Sequence, residues 1–183
     1  MASTATFRYL RDFGQVAWLM QAFSVWSRVQ RNSEFSDLVF EIGDWLLQWQ
    51  QEKSGGFINH HQADTPGYTT ALYVEGVGAA VHLAELSGDD ARRQQYLDAW
   101  LRGLRFLNRI TIQPGHSAVL PNSDFAVGGL RMGLNSSFVR VDFVQHGLSA
   151  VLEIYEQITA AGVSRKPNLK ELEIISDNTQ AVL

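Results

Sequence analysis

The chain contains no cysteine. That absence removes disulfides, thiolate metal centres and a cysteine nucleophile, and it fits a reducing compartment. There is no excess of positive charge either. Fifteen Lys and Arg against nineteen Asp and Glu leave a net charge of −4 over 183 residues, so no general positive field exists to hold a nucleic-acid backbone. No apolar run approaches the ~20 residues that span a bilayer, and Met1 to Thr6 lacks the basic and apolar regions of a secretory leader. A soluble protein in the cytoplasm is the default expectation; if the chain is a piece of a longer one, its location is open.

What remains is the balance of a compact domain, 45% hydrophobic and 19% charged. Apolar residues at steps of three and four predict a first helix over Phe7 to Val29, through Leu10, Phe13, Val16, Ala17, Met20, Phe23 and Trp26. Asn32-Ser33 supplies a cap for a second helix with Leu38, Ile42, Trp45, Leu46 and Trp49 as its stripe, ended by Ser54-Gly55-Gly56. Tyr68 to Leu86 reads as a third helix, apolar on nearly every side and therefore buried all round. Ser87-Gly88-Asp89 stops it and starts a fourth, with Tyr96, Trp100, Leu104 and Leu107 inward and Arg92, Arg93, Arg102 and Arg105 in water. After a long segment from Gln113 to Val141, with alternation near Ser117 to Leu120 that suggests a short strand, a fifth helix runs from about Asp142 to Ile158. Its expected inward residues are Val144, Leu148, Val151, Leu152 and Tyr155. Residues 1–163 read as one helical-hairpin domain, and 164–183 as a tail with a short helix or disorder.

The odd-numbered helices each carry Gly-x-x-Ala: Gly14 with Ala17, Gly76 with Ala79, and Gly147 with Ala150. A glycine inside a helix costs about 1 kcal/mol relative to alanine, so its recurrence predicts close approach of neighbouring helices. Gly43 and Gly103 recur in the even helices. The fold expected is all-α, made of repeated helical hairpins.

Gly55-Gly56-Phe57, Tyr73-Val74-Glu75-Gly76, Ala80 to Gly88, Tyr96 to Leu107 and Arg140 to Leu152 resemble segments of the alpha/alpha toroid enzymes. In these, helix pairs form two concentric rings and loops at one rim build the active site. The resemblance covers most of residues 34 to 160 and extends to glycoside hydrolases, sugar epimerases and polysaccharide lyases, without selecting one. It implies a partial toroid acting on a glycosidic bond or a sugar carbon, with a small-molecule or oligosaccharide ligand and no cofactor. Two and a half helix pairs are too few to close a ring, which implies a homodimer or a complementary toroid half. The alternative is a non-catalytic helical-repeat module that binds a peptide or a partner subunit.

If the odd helices line the interior, the loops Lys53 to Gly67 and Gln113 to Val141 open at one rim. Loops of that length and polarity in a compact domain are commonly functional. They carry His60, Asp64, Asp124 and Arg131, candidate ligand contacts, along with Tyr68 and Tyr73, which follow the first loop and could stack on a sugar ring. Glu75 and His146 each precede the repeat glycine and so occupy one structural slot, filled by Phe13 in the first helix. Burial favours the protonated form of a carboxylate, as a general acid requires, and a nearby histidine can accept a proton. The bland reading of the same two residues is a hydrogen bond between adjacent helices. Asp142 shares a helix face with His146, or else interacts with the helix dipole; Arg140 binds a substrate carboxylate, or else pairs with Asp124 or Asp142. Adjacent His60 and His61 point opposite ways in an extended loop and no ligand set completes them, so no metal is expected. Neither a phosphate-loop setting nor a serine-nucleophile elbow is present.

Overall fold

A computed structural model describes residues 13–30, 33–58, 65–115 and 122–160. Within them the chain is helical: α1 (Phe13–Gln30), α2 (Ser33–Leu47), α3 (Thr69–Ser87), α4 (Asp90–Ile110), the one-turn α5 (Ser123–Ala126) and α6 (Val141–Ala160). Extended backbone among the described residues is limited to isolated bridges. The segments expected at Phe7 to Asp12, at the Ser117 to Leu120 alternation and at the 164–183 tail lie outside the described residues.

The central element is α3. Its sequence, TTALYVEGVGAAVHLAELS, offers no polar face, and thirteen of its nineteen residues are buried. A helix without a wet side is stable only when sheathed, and α1, α2, α4 and α6 all pack on it. Val74, Val77, Ala80, Val81 and Ala84 of α3 meet Met20 of α1, Ile42 and Leu46 of α2, and Trp100 and Phe106 of α4 in one core.

Small residues set the spacing. A Cβ at Gly76 would lie 3.0 Å from the Ala17 Cα and 2.9 Å from the Met20 sulfur, so α1 and α3 touch nearly backbone to backbone there, as the repeat predicts. The same addition at Gly43 would press on the Tyr96 ring, and at Gly103 on Val74. Gly147 breaks the parallel: its nearest neighbour would be Leu130 Cδ2 at 3.5 Å, an ordinary contact.

The α3–α4 corner is built by local chemistry. Gly88 takes a left-handed conformation (φ 72°), and the Asp89 N–H donates to the Ala84 carbonyl, closing α3 with a Schellman-type turn. Asp89 then caps α4 by accepting from the Arg92 N–H at 3.0 Å.

Two expectations need correction. The second helix ends at Leu47, so Trp49 lies beyond it, where the Ile58 N–H donates to the Trp49 carbonyl in a small turn. In α6 the buried residues are Phe143, His146 and Ala150, whereas Leu148, Val151 and Leu152, expected inward, are about half exposed. The physical reason is that α6 has apolar residues on two sides. Periodicity alone cannot choose between them, and the polar His146 goes inward because Glu75 is there to meet it.

Candidate functional site

Two polar regions stand out, and they lie at different levels along α3. The first is the junction of α1, α3 and α6. Glu75 and His146, 3% and 7% exposed, meet with His146 Nδ1 2.7 Å from Glu75 Oε2. Gln21 Nε2 donates to the other carboxylate oxygen at 3.0 Å. Both oxygens of a buried carboxylate are therefore engaged, the condition under which such a group is tolerated in a core. The Trp18 ring sits 5.8 Å from the His146 ring, centroid to centroid, and is half exposed.

Sequence reasoning pairs Glu75 with His146 through their common slot but misses Gln21 and Trp18. The available signal was the position of Gln21, one helical turn after Ala17, at the edge of the face that meets α3. A second carboxylate, Glu153 on α6, packs over Gly78 of α3 beside the Trp100 indole nitrogen.

The second region is the rim. Its loops meet as expected: the Tyr68 N–H donates to the Met132 carbonyl at 3.0 Å, and Gly67 bridges Gly133. A Cβ on Gly67 would collide with that same carbonyl, so the residue is glycine for reasons of approach. Further in, Phe57 N–H donates to Thr70 Oγ1 at 3.0 Å, tying the first loop to the start of α3. Arg131 holds the second loop down. Its guanidinium donates to the carbonyls of Arg109 (2.9 Å), Ile110 (3.1 Å) and Leu134 (3.2 Å); two of these are at the C-terminal end of α4, where a cation is favoured.

Between the joined loops lies a groove of about 480 Å³. Pro66, Tyr68, Phe106 and Met132 provide apolar walls, while Ser54, Thr69, Asn135 and Ser136 provide hydroxyl and amide groups. No charged side chain lines it among the described residues. At its edge Tyr68 stacks on Phe143, with centroids 3.7 Å apart and planes 19° from parallel, and the Arg140 guanidinium lies 5.3 Å from that same Phe143 ring.

The remaining candidates are distributed as follows. Asp142 and Arg140 form a two-point ion pair, with both contacts at 2.9 Å, so Asp142 turns toward Arg140 at the start of α6. Tyr73 is fully buried with its ring edge on Phe57, in the core rather than on the groove. Asp124 falls in the one-turn α5, and His60 and Asp64 lie outside the described residues. Glu75 follows Tyr68 by seven helical residues, about 10 Å along the axis, so the acidic pair and the groove are separate places. No group of three potential metal ligands is gathered among the described residues, and no described helix is long and apolar enough to cross a membrane. No family model, curated protein or solved structure matches this chain.

Proposed function

We propose that the chain is a carbohydrate-binding helical subunit whose rim groove takes a neutral, hydroxyl-rich ligand of about one or two sugar rings. The observation that supports this reading is the groove's chemistry: apolar surface beside hydroxyl and amide side chains, with no charged side chain among the described residues that line it. A sugar ring offers C–H faces that lie against aromatic and aliphatic groups, and hydroxyls that both donate to and accept from Ser, Thr and Asn. Phosphate and carboxylate ligands are recognised by Arg or Lys pairs, and the described residues of the lining supply none. Its volume is in the ordinary range for small-molecule sites.

A titration of isotope-labelled protein with neutral mono- and oligosaccharides, followed by amide shifts, tests this. Shifts should concentrate at residues 65–69 and 132–136. Asn135→Ala, at an exposed loop position, should weaken binding about five-fold, the worth of one hydrogen bond. A panel of saccharides that moves no groove resonance at millimolar concentration removes the reading.

The 2.7 Å contact between His146 and Glu75 favours a second reading, the acid/base chemistry implied by the toroid resemblance. In that reading Glu75 donates a proton and His146 relays it, with substrate entering past Trp18 between α1 and α6. Glu75→Gln then abolishes turnover while the helical fold remains. Full turnover by that variant on any identified sugar substrate takes Glu75 out of the reaction.

A further inference from the structure

The groove does not end where its hydroxyl and amide groups end. Met132 and Leu134 belong to its lining, yet they are 49% and 41% exposed, so each keeps about half its surface in water. The chain doubles back just beyond them. The Ser136 N–H donates to the Gly133 carbonyl in a turn, the Met132 N–H donates to the Phe138 carbonyl at 2.8 Å, and Arg131 bridges Val139 in the antiparallel sense. That register sets Met132 and Phe138 directly opposite one another, and opposed residues of an antiparallel pair share a face. Phe138, 57% exposed, therefore stands beside Met132 and extends the groove wall outward. Val139, next in the chain, turns to the other face, where its methyl groups lie 3.1 and 3.4 Å from the place a Cβ on Gly129 would take.

Given the saccharide reading of the groove, on which this step rests, we infer that its ligand is a neutral sugar joined to an apolar aglycone. The sugar ring lies beside the hydroxyl and amide groups, and the aglycone lies against Met132, Leu134 and Phe138. Continuity is the first ground. A lining of mixed character passes into an apolar lip, with no charged side chain among the described residues of the lining. That sequence of surfaces matches an amphipathic molecule, whereas a free sugar makes no use of Phe138. Size is the second ground. Three side chains at about half exposure amount to about 200 Å² of apolar surface, well short of the ~800 Å² per partner of a stable protein interface, and enough for an alkyl chain or an aromatic ring. Charge is the third. The two arginines of this loop are both engaged, Arg131 with three main-chain carbonyls and Arg140 with Asp142, so neither is placed to hold the carboxylate of a fatty acid or the phosphate of a phospholipid. The non-sugar part is therefore neutral as well as apolar.

Titration of the full chain with the methyl and hexyl glycosides of glucose and of galactose, below the concentrations at which the hexyl compounds form micelles, tests this. For whichever sugar binds, the hexyl glycoside should bind at least about 10-fold tighter than the methyl one, through partial burial of its added methylenes. The Met132 methyl resonance should shift with the hexyl compound and much less with the methyl one. Phe138→Ser, at an exposed site, should cut the hexyl-to-methyl ratio to about 3-fold or less while helical circular dichroism is unchanged. Equal affinity for the two glycosides overturns the aglycone and leaves the saccharide reading standing. A hexyl ether of triethylene glycol, which has the same chain and no sugar, should bind far more weakly; if it binds as well as the hexyl glycoside, the groove recognises the chain alone and both readings fall. Silence of the groove resonances toward all the compounds also overturns both. A ratio undiminished in Phe138→Ser puts the chain on some other surface and overturns the assignment of this lip.

Discussion

Glu75 and His146, on helices 71 residues apart in sequence, meet at 2.7 Å inside a nearly dry junction. Removing either partner leaves the other buried without its main contact. Glu75→Leu or His146→Leu alone should each cost about 1–3 kcal/mol, and the double substitution should cost less than the sum of the two, because both polar groups leave together. Urea unfolding of the four proteins measures the coupling. Strictly additive losses would show that the pair does not act as a unit. Saccharide binding in the groove, some 10 Å along α3, should be unaffected by either change.

Two glycines that look alike in sequence should respond in opposite directions. Gly76→Ala puts a methyl against the Ala17 backbone and the Met20 sulfur, and forcing α1 and α3 apart should cost about 1–3 kcal/mol. Gly147→Ala meets only Leu130 at an ordinary distance and gains helix propensity, up to about 1 kcal/mol. Thermal unfolding should separate the two by sign. Stabilisation at both positions would end the close-packing account of Gly76.

The helix boundaries are legible in the sequence wherever local chemistry marks them, as at Gly88 and Asp89, where a left-handed closure and a side-chain cap need only neighbouring residues. The meeting of Glu75 and His146 is legible too, since both stand before a repeat glycine. The orientation of α6 is not, because its apolar residues lie on two sides and the side that turns inward is the one that carries the polar His146. Nor is the role of Arg131: its three acceptors are main-chain carbonyls, which leave no mark on residue identity. Tyr68 and Tyr73 look equivalent as aromatic contacts, yet five residues of helix turn them about 140° apart, one to the rim and one to the core.

Acid sensitivity should have a local contributor at Asp89. The Arg92 main-chain N–H holds its carboxyl below the usual aspartate range, with the Arg92 side chain reinforcing the effect. A carboxyl depressed in the folded state contributes stability above its unfolded value, near pH 4, and loses it as pH falls through the lower folded value. Asp89→Asn keeps an N-cap acceptor but loses the ion pair with Arg92 and cannot titrate. Its stability curve should lie somewhat below the parent's near pH 7, fall less steeply below about pH 4 and approach the parent's there; equal acid slopes would assign the effect to other groups.

The sheathing of α3 has a kinetic meaning. Its amides from Tyr73 to Ala84 are hydrogen-bonded within the helix and enclosed by α1, α2, α4 and α6, so solvent reaches them only when several neighbours leave at once. Hydrogen exchange at those positions therefore reports the global opening of the molecule. The outer helix α6, whose described packing is mainly on α3, would leave the α1–α2–α4 wall standing if it detached, so its amides are expected to exchange faster than those of α3. Such a difference would mark a slow interior and a separable flank, and that flank carries His146.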